Sequence, residues 1–120
     1  MDAIKKSVAG YHILCLLSEL DQDFNPKEGL LIVDYMENNF PIKYNFDAEV
    51  EFLSKLKSEE YLSHFTKAMD VFYTNSTEGE RAKLIDFAVK LVKADNEITK
   101  RENVFLNELI NTWDPNGNLV

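Results

Sequence analysis

Leu17-Ser18-Glu19-Leu20-Asp21-Gln22-Asp23-Phe24-Asn25-Pro26-Lys27-Glu28 and Leu91-Val92-Lys93-Ala94-Asp95-Asn96-Glu97-Ile98-Thr99-Lys100-Arg101-Glu102 stand 74 residues apart and follow one pattern. Each reads Asp, polar, acidic, apolar, helix cap, two residues, Glu, and each has apolar helical sequence on both sides. Asn25 and Thr99 are residues whose side-chain oxygen accepts from the free N–H groups at a helix start. Glu28 and Glu102 fall three residues later, where a carboxylate reaches back to the cap. Pro26 occupies the first helical position, where its missing N–H costs nothing. The pattern therefore marks two helix–loop–helix junctions.

Helical periodicity extends outward from both. Ile4, Val8, Tyr11, Leu14 and Leu17 form a stripe spaced by three and four before the first junction. Leu84, Ile85, Ala88, Leu91 and Val92 do the same before the second, and Phe105, Leu106, Leu109, Ile110 and Trp113 after it. Between them, Phe65, Met69, Phe72 and Tyr73 make a further stripe. No stretch alternates with period two for long enough to predict a strand. The reading is all-α: a compact bundle of about six helices made of two related helix–loop–helix halves, a single domain over residues 1–120 with pseudo-repeats at about 3–39 and 77–113. The stop and start signals predict helices over Ala3–Leu20, Pro26 to Asn38 or Asn39, and Asp47–Leu56. A fourth, capped by Ser58, runs to about Tyr73, and a fifth opens at the capping box Thr77-Glu78-Gly79-Glu80. The sixth opens at Thr99 and is stopped by Asp114-Pro115-Asn116-Gly117.

Charge removes several function classes. Thirteen Lys and Arg against 21 Asp and Glu give a net charge of −8, which disfavours nucleic-acid binding and docking on anionic lipid. Purely apolar runs such as Leu30–Val33 are far short of the roughly 18 residues a membrane span needs. No secretory leader is visible at the start. The expected location is cytoplasmic. One cysteine, Cys15, excludes an internal disulfide.

Asp21, Asp23, Asp95 and Glu97 lie between helices, and such closely spaced carboxylates repel one another unless water, a base or a cation intervenes. A hard divalent cation removes that repulsion, and an all-oxygen ligand set suits Ca, Mg or Mn. The spacing is not that of an EF-hand. Either loop alone supplies at most three side chains, so tight binding requires both loops or added water and backbone oxygens. The candidate metal ligands are Asp21, Asp23, Glu28, Asp95, Glu97 and Glu102. The bland reading of the same residues is helix capping plus a solvated acidic surface.

At these residues the chain resembles the TerB-like family, the helical domain of tellurite-resistance proteins, whose hallmark is Ala-Asp-Gly-Glu-Ile-x-x-x-Glu. The second copy, Ala94 to Glu102, departs from it only at Asn96. The first copy departs more, with Leu20 for Ala, Gln22 for Gly and Asp23 for Glu. The resemblance implies two pseudo-repeats whose acidic loops lie near one another, metal binding by those loops, and a link to tellurite or other chemical stress. The family's biochemical activity is itself poorly defined; the leading expectation for this chain is a non-enzymatic domain with no catalytic residues.

The alternative is a helical interaction module, with a protein partner or a second copy of itself meeting its acidic face or the Phe40–Phe46 segment. Of the two histidines, His12 sits three residues from Cys15, a spacing that could aim both at one metal, but no second cysteine supports zinc. Cys15 between Leu14 and Leu16 reads as a small core residue. Gly10, isolated within the first helix, costs about 1 kcal/mol against alanine and marks either close helix packing or drift.

Overall fold

A computed structural model of the chain describes residues 3–19, 26–39, 47–93 and 100–113. The described residues form six α-helices and one 3-10 turn: α1 (Ala3–Glu19), α2 (Pro26–Asn39), α3 (Asp47–Ser54), the turn Ser58–Glu60, α4 (Tyr61–Thr74), α5 (Glu78–Lys93) and α6 (Lys100–Trp113). The all-helical expectation holds among them, as do the helix bounds to within a residue or two for α1, α2, α5 and α6. None of these helices is long and apolar enough to cross a membrane.

The organising element is α1. It contacts each of the other five helices, and every residue from Ala9 to Leu17 is buried. The sequence predicts one apolar stripe there. The helix is instead enclosed on all sides, because Ile13, Cys15 and Leu16 are as buried as Tyr11, Leu14 and Leu17. A helix that is apolar all round belongs in a core. Ile4, at the open end of the predicted stripe, is half exposed.

Two sets of contacts orient the bundle. Gly10 of α1 lies under Phe72 of α4, and His12 of α1 meets His64 of α4, so these two helices run antiparallel. Phe65 packs on Phe105 with ring centroids 5.0 Å apart, and Phe72 stacks on Trp113 at 5.3 Å, so α4 and α6 run parallel. Of the two explanations open for Gly10, close packing is the one the structure supports. A Cβ there would come 3.2 Å from Phe72 Cε2 and 3.5 Å from Met36 Cε. The Met36 distance is ordinary contact, whereas the Phe72 distance is tight enough that a side chain here would press on the ring, so glycine eases the approach of α1 to α4.

Local chemistry sets the helix ends. Glu80 N–H donates to Thr77 Oγ1 at 3.2 Å and Thr77 N–H donates to Glu80 Oε1 at 2.9 Å, closing the predicted capping box of α5. Glu80 Oε2 also accepts from Lys6 Nζ of α1 at 2.6 Å. Helix α3 stops at Ser54 rather than Leu56. There Lys55 N–H and Leu56 N–H turn to the carbonyls of Phe52 and Leu53, a tighter last turn that ends the helix. The fourth helix starts later than expected. Ser58 opens the 3-10 turn, Glu60 holds the N-cap position of α4 without a side-chain cap bond, and its carboxylate accepts from Lys57 N–H instead. Tyr73, the last residue of the predicted α4 stripe, is half exposed and carries the Arg81 guanidinium 4.1 Å over its ring. The same guanidinium donates to the carbonyls of Tyr73 and Ser76, satisfying backbone acceptors at the end of α4.

Candidate functional site

The described residues bring together His12 of α1, Glu49 of α3 and His64 of α4. His12 is a buried polar residue in the most enclosed part of the fold, at 7% exposure. Such a side chain needs hydrogen-bond partners. His12 Nδ1 lies 2.7 Å from His64 Nε2, and His12 Nε2 lies 3.2 Å from Glu49 Oε1. Phe52 of α3 stacks on His12 at 5.7 Å and packs against His64 at 5.2 Å, covering the pair.

The donor inventory fixes the proton positions. The Glu49 carboxylate only accepts, so neutral His12 carries its proton on Nε2 and presents a bare Nδ1. That nitrogen accepts from His64 Nε2–H, which leaves His64 Nδ1 as an acceptor. Burial pushes the His12 imidazole below its ordinary value of 6.5, against the bond and charge of Glu49, which pull it up. Burial also lowers His64, reinforced by His12 and by the Lys67 ammonium. Both imidazoles are therefore neutral at pH 7, in agreement with that proton pattern.

A cavity of about 260 Å³ opens beside the pair, along the seam between α1 and α4. From α1 it is lined by Ile4, Lys5, Val8, Ala9 and His12. From α4 it is lined by His64, Lys67, Ala68 and Val71. These positions repeat every three or four residues on each helix, so one face of each contributes. The histidines close one end and aliphatic side chains form the rest of the wall.

The sequence-derived metal ligands fare differently. Asp21, Asp23, Asp95 and Glu97 lie outside the described residues. Glu28 and Glu102 lie within α2 and α6, with side chains outside those described. The Phe40–Phe46 segment and the caps Asn25 and Thr99 also lie outside them. Among the described residues, no group of three or more His, Cys, Asp or Glu could hold a metal ion. His12, His64 and Glu49 do not, because His12 meets its two partners through opposite ring nitrogens and the three groups do not converge on one point. Nor do His12 and Cys15 form a ligand pair. Cys15 is buried in the apolar core, whereas both His12 nitrogens are taken up by α3 and α4.

The pairing of His12 with residues 37 and 52 positions away leaves no local spacing signal. One signal was present: His12 continues the Ile4–Val8 face of α1 at a spacing of four, and His64 begins the face carrying Lys67, Ala68 and Val71. A polar ring ending an apolar row on two helices is what the cavity is made from. No protein-family model matches this chain, and no characterised protein or solved structure does, so the site is read from its own chemistry.

Proposed function

We propose that the chain is a cytoplasmic, non-enzymatic TerB-like domain that binds a divalent cation, Ca, Mg or Mn, through its two acidic loops. In this reading Asp21, Asp23, Asp95 and Glu97 are the primary ligands, and Glu28 and Glu102 cap their helices and reach the ion. The two halves are related repeats, and the physiological link is to tellurite or other chemical stress. The observation that carries the reading is the repeated Asp, polar, acidic, apolar, cap, x, x, Glu pattern at an offset of 74.

The helix bounds support it. Helix α2 spans residues 26–39 and α6 spans 100–113, the same bounds shifted by 74 (100 − 26 and 113 − 39). Helices α1 and α5 end at residues 19 and 93, again 74 apart. The contact between Lys6 and Glu80 joins two positions separated by 74. The helices that lead into the acidic stretches thus begin side by side and have nearly equal lengths of 17 and 16 residues. In this reading the four carboxylates lie close enough to repel, and a hard cation with oxygen preference offsets that repulsion.

Thermal unfolding in the presence of Ca, Mg or Mn tests the reading. A cation that binds the folded state alone adds about 2.7 kcal/mol at a hundredfold excess over its dissociation constant. The midpoint of the wild type rises through that range, and Asp95→Asn removes the rise. A flat response of the wild type to all three cations, or equal responses of wild type and Asp95→Asn, overturns it.

A further inference from the structure

We infer that the α1–α4 cavity is a binding site, independent of the acidic loops, for a small uncharged apolar molecule of two fused rings, held without a polar contact. The first observation is the wall. Two histidines and two lysines line the cavity, yet the wall shows almost no polar surface. The hydrogen bonds explain the histidine end. Both nitrogens of His12 are engaged, by His64 on one side and Glu49 on the other, and His64 Nε2 is taken up by His12. The pair therefore shows ring carbon to the cavity. Lys5 and Lys67 are exposed residues that lay their methylene stems along the wall and keep their ammonium groups outside it.

The second observation is that the space exists within the most extensively packed pair of helices in the fold. The His12–His64 bond of 2.7 Å ties α1 to α4 at one end of the seam, and the backbone at Gly10 sits against Phe72. Between the walls the side chains are small. Ala9 and Ala68 are both buried, and Val8 and Val71 flank them. The helices are held at a fixed separation that these residues do not fill, so the cavity is formed before anything enters it.

Volume and wall chemistry set the ligand class. An apolar cavity of about 150 Å³ stays dry and holds one benzene ring. At about 260 Å³ this one offers roughly 1.7 times that space, room for two fused rings. His64 and Val71 are seven residues apart on α4, about 10 Å at a rise of about 1.5 Å per residue, which takes the long axis of such a molecule. The imidazoles at the closed end supply ring surface for an aromatic guest. A polar group on the guest would lose its water and meet no partner in the wall.

Naphthalene is the probe. The full chain, titrated into a low fixed concentration of naphthalene with chelator present, changes its fluorescence along a saturable one-to-one curve with a dissociation constant of about 0.1 mM. The chelator keeps the outcome separate from cation binding. Quinoxaline, the same two fused rings with two nitrogens, binds at least about tenfold more weakly. Methyl-resolved NMR of the wild type locates the site, with shifts concentrated on Val8, Ala9, Ala68 and Val71. Val71→Phe fills the cavity from a partly buried position and removes binding. That variant is first shown to melt as a folded helical protein, and if it does not fold, the wild-type methyl shifts carry the decision. No fluorescence change up to millimolar protein, equal affinity for quinoxaline, shifts spread away from the α1–α4 seam, or undiminished binding by folded Val71→Phe overturns the proposal.

Discussion

One carboxylate, Glu80, serves two structural purposes, and its removal separates them. Its Oε1 accepts from Thr77 N–H at 2.9 Å, and its Oε2 accepts from Lys6 Nζ at 2.6 Å. The Lys6 and Glu80 side chains retain 16% and 28% exposure. The reciprocal cap is worth about 1 kcal/mol. The half-buried ion pair adds about 1 kcal/mol, the upper end of what exposed pairs contribute. Glu80→Ala loses both and costs about 2 kcal/mol, a fall of about 8 °C in the unfolding midpoint for a chain of this size. Glu80→Gln keeps an oxygen for Thr77 and loses the charge, so it costs about half as much. Denaturant unfolding of wild type, Lys6→Met, Glu80→Gln and the double variant measures the coupling, expected at about 0.5–1 kcal/mol. Burial alone would raise the Glu80 carboxyl, but the Lys6 bond and the Thr77 bonds outweigh it and hold the group below its ordinary value of 4.5. A depressed carboxylate stabilises the fold above its unfolded value and loses that contribution as pH falls through its folded value, so the coupling disappears in acid. Additive single-variant costs at neutral pH would refute the assignment of Lys6 and Glu80 as a working pair.

The histidine pair also loses stability toward acid, in a higher pH range. His12 and His64 are held below 6.5 in the fold, so the unfolded chain binds more protons and stability falls as pH drops from about 6.5, by at most about 1.4 kcal/mol per unit for each histidine. Denaturation midpoints between about pH 7.5 and 5.5 read this, and superimposable profiles for wild type and a His12→Gln, His64→Gln double variant would refute it. Gly10→Ala gains about 1 kcal/mol of helix propensity. It also sets a Cβ 3.2 Å from Phe72, a ring fully buried and stacked on Trp113. Overpacking of about 1–3 kcal/mol wins, so Gly10→Ala destabilises by about 1 kcal/mol, and a stabilised variant by thermal melt would refute the packing argument. Arg81→Ala removes donors from the carbonyls of Tyr73 and Ser76 and costs about 1–2 kcal/mol in the same melt; an unchanged midpoint would show those bonds to be replaceable by water.

Helix boundaries were legible because they are set by residues in sequence contact. Pro26 starts α2 and the Thr77–Glu80 box starts α5, and both act through atoms within a turn. Two boundaries fell elsewhere for reasons that are also local but not written in residue type: the tightening of the backbone at Lys55 and Leu56 that ends α3, and the 3-10 turn at Ser58. The enclosure of α1 was less legible. A stripe was visible at Tyr11, Leu14 and Leu17, yet the burial of Ile13, Cys15 and Leu16 depends on helices arriving from both sides. The cluster of His12, Glu49 and His64 was least legible, since three helices must pack before those groups meet. Spacing within one helix places His12 and His64 on the faces of α1 and α4 but does not say that those faces meet.

The encirclement of α1 has a consequence for biogenesis. It leaves the ribosome before the other five helices, yet its contacts with α6 require a segment that begins 81 residues after α1 ends (100 − 19). At roughly 5–20 residues per second, α1 waits roughly 4–16 s in the nascent chain before its last wall is synthesised. Throughout that interval the stretch Ala9–Leu17, apolar apart from Gly10 and His12, has no complete enclosure.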